Sequence, residues 1–262
     1  MLITAGAGMG VDSGMPDFRG TEGFWRAYPA YAQAGLSFEA LATPRWFKRD
    51  PALAWGFYGA RMRLYRETAP HAGFGLLRDW AAKKRMGAFV FTSNVDGHFQ
   101  RTGFPEARVV ECHGVLRRLQ CTAECGKEAW SSRYVKVVVD PDTLRATEGM
   151  PCCPDCGAVA RPNVLMFDDF GWDSECSDAQ QTRLDLWLAR VRRSDARLVV
   201  VEIGAGTAVP TVRALGESTA VSSSAVMVRI NLREHTVPRG HVGVAGGALT
   251  SLVAIDSCMR SV

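Results

Sequence analysis

The chain predicts an α/β fold: a doubly wound parallel sheet with a small inserted domain. Three observations carry this. A short apolar run, Leu2-Ile3-Thr4-Ala5, feeds straight into the glycine loop Gly6-Ala7-Gly8-Met9-Gly10. Four further apolar runs, at 88–92, 109–113, 198–203 and 225–231, lack the alternation of a half-exposed strand, as strands covered on both faces do. Helical periodicity lies between them, for example from Thr182 to Arg193, and strand alternating with helix is the pattern of a Rossmann-like sheet.

The opening strand ends in the loop Gly6 to Gly10. Glycine in such a loop is expected to admit positive φ values and a close approach of the backbone to a phosphate-bearing ligand. Helical backbone beyond the loop would aim free N–H groups at that ligand. Ser13-Gly14-Met15-Pro16-Asp17-Phe18-Arg19-Gly20 adds an anion, an aromatic ring and a guanidinium, a set for which a plain structural turn has no use. From 21 to 79 the chain is rich in tryptophan, alanine and arginine. Apolar residues at helical spacing from Pro51 to Tyr65 predict a helix in this inserted module.

Composition bounds the class. At 262 residues, with 47% hydrophobic and 22% charged residues, the chain is one large domain or one domain carrying an insertion. No apolar run approaches the length of a membrane span and no signal-peptide pattern is visible, so a cytoplasmic location without a membrane partner is the expectation. A net charge of +4 is mild, and no direct nucleic-acid binding is expected from it.

Eight cysteines in such a chain argue for metal before disulfides. Cys121-x3-Cys125 and Cys153-Pro-Asp-Cys156-Gly supply two turn-closed thiolate pairs, the ligand set of a closed, structural Zn2+ site. Strands and a loop are expected between the pairs. Cys112, Cys176 and Cys258 read as ordinary thiols, and Cys152 as a neighbour of the cluster rather than a ligand. The expected division of the single 1–262 unit is a nucleotide-binding domain over 1–20, 80–117 and 164–262, a helical module over 21–79 and a zinc-binding module over 118–163.

Taken together, Gly6-Ala7-Gly8-x-Gly10-x-x-Ser13-Gly14-x-Pro16-Asp17-Phe18-Arg19 closely resembles the sirtuins, the NAD-dependent protein deacylases, whose pattern is GAGxSxxSGxPDFR. Gly10 stands where the family usually has serine. The cysteine quartet falls in the family's place. So do Thr92-Ser93-Asn94-Val95-Asp96 and His113-Gly114, against the family's TQNID and HG, with Ser93 replacing glutamine. Gly204-Ala205-Gly206 stands for the family's Gly-Thr-Ser, Ile230-Asn231 for its late Ile-Asn, and Arg161 to Phe167 for RPxVxxF, with Asp168-Asp169 replacing Gly-Glu.

The resemblance implies NAD as co-substrate and an acyl-lysine protein or peptide as partner. It implies that Gly6, Ala7, Gly8, Asp17, Phe18, Arg19, Ser93, Gly204, Ala205, Gly206 and Asn231 contact NAD. Asp96 would hold the nicotinamide carboxamide, Asn94 the ribose or attacking water, and His113 would be the general base. Val164 and Phe167 would line the acyl-lysine channel. His71, His98, His235 and His241 read instead as packed, hydrogen-bonded residues.

Tyr58 and Arg61, spaced i, i+3, share one helix face, and a phenol beside a guanidinium can clamp a carboxylate. The sirtuin branch that removes succinyl and malonyl groups has Tyr-x-x-Arg in this context. The bland alternative is a core aromatic beside a solvated arginine. The implied activity is NAD-dependent lysine deacylation, extending to acidic acyl groups, with release of nicotinamide and O-acyl-ADP-ribose. ADP-ribosyl transfer or NAD hydrolysis on the same fold, and non-catalytic NAD binding, are the alternatives.

Overall fold

The computed structural model describes residues 1–16, 29–33 and 35–261. Asp17, Phe18 and Arg19 therefore lie outside the described residues. The strands in chain order are β1 (Leu2–Ala5), β2 (Phe89–Thr92), β3 (Val109–Glu111), β4 (Gly114–Cys121), β5 (Trp130–Ser131) and β6 (Val138–Val139). They continue with β7 (Ala146–Glu148), β8 (Ala160–Val164), β9 (Val199–Ile203), β10 (Val226–Ile230) and β11 (Val242–Val244).

Six of these form one all-parallel sheet in the order β11-β10-β9-β1-β2-β3. β1 is central, with Leu2 opposite both Phe89 and Val200, and Ile3 opposite both Val90 and Val201. The chain leaves β1 toward β2 and leaves β9 toward β10, so strand order reverses between β1 and β9. In open α/β sheets that reversal opens a crevice at the carboxyl ends of the strands.

The two faces explain why these runs do not alternate in polarity. Ile3, Val90 and Val201 point into one cluster with Phe74, Leu77, Trp80 and Leu252. Leu2, Phe89 and Val200 point into another with Leu184 and Trp187. Successive side chains go to opposite faces, and both faces are covered. The covering helices are Ala72–Ala82 with Ala248–Arg260 on the first face and Glu175–Arg193 with Thr211–Ser222 on the second.

The helix Ala72–Ala82 packs with the sheet and straddles the position expected to end the helical module. Two elements had no clear sequence signal: β11, a three-residue edge strand, and the C-terminal helix. The helical module is built round Pro51–Glu67, which starts with Asp50 accepting from Leu53 N at 3.2 Å and Pro51 in the first turn. Its buried side (Trp55, Phe57, Tyr58, Met62) packs with Phe47, Leu119 and Ala160. The antiparallel sheet β5-β4-β8 joins this module to the cysteine cluster.

Candidate active site and cysteine cluster

The crevice at the strand reversal is closed by backbone. Gly6 N donates to Ile203 O at 3.0 Å and Gly8 N to Gly204 O at 3.0 Å. Gly204 takes φ 62°, and a Cβ on it would lie 2.4 Å from Gly8 C and Met9 N. A Cβ on Gly6 would meet Gly204 O at 2.7 Å. Positive φ is not what the first loop needs, since Gly6 has φ −107° and Gly10 φ −83°. Gly6 and Gly204 are required because their two loops press together across the crevice. Among the described residues the loop and its continuation form two short 3-10 turns, Ala7–Met9 and Val11–Ser13.

Asn94 and Asp96 follow β2, and His113 follows β3. Thr92 pairs with Glu111, so the two following turns leave neighbouring strands at the same level. Asn94 Nδ2 donates to Gly6 O at 3.0 Å, while Thr92 Oγ1 accepts from Asn94 N at 3.0 Å. Asp96 Oδ1 accepts from His98 N at 2.8 Å, and burial pushes its carboxyl up to about 6. Burial likewise lowers the His113 imidazole below its usual value. Beneath it Glu111, 2% exposed, accepts from Arg117 Nη1 at 2.7 Å.

His113 is held by its backbone to the opposite wall. Its carbonyl accepts from Leu165 N at 3.0 Å, and Gly114 pairs with Val164. Gly114 takes φ 69° and a Cβ there would lie 2.1 Å from Asn163 O, so glycine is obligatory. The structure thus brings His113 to the segment carrying Val164 and Phe167. Arg161 closes that segment by pairing with Asp169 in a buried ion pair that includes a 2.8 Å contact from Nη1 to Oδ1. Asp168, where sirtuins have glycine, adopts φ 53°.

Ala205 and Asn231 act on the crevice from inside the fold. Asn231, 3% exposed, donates from Nδ2 to Ala205 O at 2.8 Å and accepts from Arg233 N and Glu234 N at 3.1 Å each. It braces the loops after β9 and β10 with both ends of its amide. The next residue after Gly206, Thr207, is itself held by Glu234 at 2.6 Å. Ser93 N donates to Ala5 O at 3.2 Å.

Arg61 is not solvated. It is 6% exposed, donates to Tyr65 Oη at 2.9 Å, and its guanidinium lies 5.2–5.9 Å from the rings of Phe38, Phe57, Tyr58 and Tyr65. Burial pushes the Tyr58 phenol up to about 12, so it remains protonated at neutral pH. Phe38 also packs edge-on against Phe167 at 6.1 Å, which connects the arginine box to the segment beside His113.

Asp12 carried no sequence signal as a positioning residue, whereas Ser13 stood in the opening motif and His71 and His98 read as packed residues. Asp12 accepts from Leu249 N at 2.7 Å and so caps the C-terminal helix. Ser13 accepts from His71 N at 2.9 Å, and His71 is hydrogen-bonded to Met9 O at 2.9 Å. His98 is fully buried against Phe74, and desolvation drives its imidazole down to about 4.

The sulfurs of Cys121, Cys125, Cys153 and Cys156 all lie within 4.8 Å of one another, with Cys121–Cys156 at 3.5 Å and Cys125–Cys153 at 3.6 Å. Tetrahedral zinc with bonds of about 2.3 Å sets its sulfurs about 3.8 Å apart, so this donor set fits the ion. Four thiolates leave no open position, and the metal's chemistry there is to staple the module.

The profile of the Sir2 family matches residues 6–185. A relative from Pyrococcus furiosus, an NAD-dependent protein deacylase, is 35% identical over 172 residues, covering 64% of this chain and 60% of its own. One of the same description from Aeropyrum pernix is 34% identical over 200 residues, 76% and 69% of the two chains. The chain thus spans about 60% of the length of the first of these relatives.

A solved structure described as Sir2Tm bound to a propionylated peptide superposes with a TM-score of 0.67 at 20% identity, over 99% of this chain and 92% of that one. A second, a Sir2 complex with a p53 peptide and NAD+, gives 0.59 at 19% identity over 100% and 93%. At that identity the structures establish the fold, and the profile establishes the family. The chain belongs to the Sir2 family.

Proposed function

We propose that the protein is an NAD-dependent protein-lysine deacylase releasing nicotinamide and O-acyl-ADP-ribose. The observation that carries this reading is the convergence of Asn94, Asp96 and His113 on two adjacent strand ends beside the Gly6–Gly204 crevice. Relatives named NAD-dependent protein deacylases support it. NAD supplies the electrophilic ribose carbon. The residues of the chain hold the reactants and move one proton.

Asp96, ionised above about pH 6, accepts from the nicotinamide amide. Asn94 fixes the loop that faces the ribose. His113, neutral at pH 7 because burial lowers its pKa, takes a proton from the ribose hydroxyls. Val164 and Phe167 wall the acyl-lysine. NAD and acetyl-lysine peptide should yield nicotinamide and O-acetyl-ADP-ribose by mass spectrometry, and His113→Tyr should abolish product. A fully active His113→Tyr would overturn the reading.

The acyl specificity we assign is for carboxylate-bearing groups as well as acetyl. Tyr58 offers a protonated phenol and Arg61 a guanidinium desolvated by four rings, which strengthens any carboxylate contact. Arg61→Met should cut turnover of succinyl-lysine far more than that of acetyl-lysine, and equal losses would remove the assignment.

A second reading, ADP-ribosyl transfer or NAD hydrolysis, is favoured by Ser93 in place of glutamine and by Asp169 being engaged by Arg161. NAD consumption without acyl-peptide distinguishes it. The nucleotide domain, helical module and zinc module remain the proposed functional division, in a cytoplasmic protein without nucleic-acid or membrane partners. Among the described residues no helix is long and apolar enough to cross a membrane.

A further inference from the structure

A second cavity lies at the opposite edge of the parallel sheet, where β2 and β3 begin. It has a volume of about 490 Å³ and is bounded by the turn from Arg85 to Ala88, by Pro105 and Arg108, and by the helices Ala72–Ala82 and Glu175–Arg193. Four guanidinium groups line it, those of Arg78, Arg85, Arg108 and Arg190, and no carboxylate does. Phe104 and Trp187 form its apolar floor.

Most of that charge is uncompensated. Arg78 is neutralised by Asp79 at 3.0 Å. Arg85 donates to the Ser194 carbonyl at 2.8 Å, a bond that leaves its charge intact. Arg108 stacks over Phe89 at 5.8 Å, with its Nη1 buried and unpaired. The Arg190 side chain has neither ion pair nor hydrogen bond among the described residues. Burial first, and repulsion from Arg190 second, lower the pKa of Arg108.

A fold gains nothing by collecting like charges in a concavity, whereas a multiply charged anion gains from every donor at once. The volume is that of a small-ligand site. The geometry points to a binding site for a small polyanion, phosphoryl or polycarboxylate, at the foot of the sheet. Its planar guanidinium forks can each take two oxygens, and its floor takes an apolar portion of the ligand. This site is independent of the deacylase reading and does not use its residues.

The test is calorimetric titration of the full chain with inorganic pyrophosphate and, separately, citrate, in saturating NAD so that the catalytic crevice is filled. Sulfate at matched ionic strength is the control. We expect saturable binding of one polyanion per chain, with the tighter of the two probes naming the source. Arg190→Gln, at an exposed position, should weaken binding severalfold. Arg108→Gln/Arg190→Gln should weaken it roughly tenfold or more, with circular dichroism and NAD affinity unchanged. Absence of binding, binding that sulfate reproduces, or an affinity indifferent to both variants would overturn the site. Because each variant is compared with wild type, the result reads the same whether or not the protein turns over NAD.

Discussion

Asn94 Nδ2 donates to the carbonyl of Gly6 over 3.0 Å, tying the turn after β2 to the turn after β1. Thr92 Oγ1, itself donating to Ala5 O at 2.9 Å, fixes the Asn94 backbone beneath that bond. Removing a single neutral hydrogen bond costs about 1 kcal/mol, so Asn94→Ala should fold. Its freed loop should nevertheless lower NAD affinity and kcat/KM by about tenfold or more. Titration calorimetry and steady-state kinetics check this, and an unaltered kcat/KM would remove Asn94 from the site.

Asp96 predicts a pH-dependent gain in stability. Its carboxyl titrates near 6 in the fold against 3.8 unfolded, so the folded state holds the extra proton between those values. Folding therefore loses stability as pH rises through that window, and the full penalty is present above about 6. Asp96→Asn keeps an oxygen for His98 N and removes the charge. Its Tm should exceed that of wild type at pH 7.5 and equal it below pH 4, while deacylation falls at both neutral and alkaline pH. Scanning calorimetry across the range is the measurement.

Removing the metal should loosen the inserted module. Metal analysis should find one zinc per chain, lost in Cys156→Ser. A strong chelator or that substitution should lower Tm by roughly 10 °C. A metal-free protein of unchanged Tm would contradict the staple role.

Asp168 supplies a gain rather than a loss. At φ 53° it occupies the left-handed region, which costs a residue with a Cβ roughly 1 kcal/mol. Asp168→Gly should raise stability by roughly 0.5–1 kcal/mol, with Arg161–Asp169 intact, as measured by denaturant midpoint. No change would mean the aspartate side chain offsets its own backbone strain.

Much of this was legible in the residue order. The unbroken apolar runs announced parallel strands because both faces of a strand such as β1 are covered. The cysteine pairs announced a metal because each pair is closed within one turn. Less was legible where a residue acts at long sequence distance. Nothing local marks Asp12 as the cap of a helix beginning at Ala248. Asn231 shows the same limit: its motif says nothing of the bonds by which its amide braces the loops after β9 and β10. Gly6 stood out in the loop, but what demands it, the close approach of Gly204 from the neighbouring strand end, is not held in the local sequence.

β4 runs from Gly114 to Cys121 with a shift of register against β8 between Val115 and Leu119, so one strand has the proposed proton acceptor at its root and a sulfur anchor at its tip. Slack at the anchor would reach the imidazole along that one strand. Oxidising the thiols would thereby disarm a base to which no oxidant need come close.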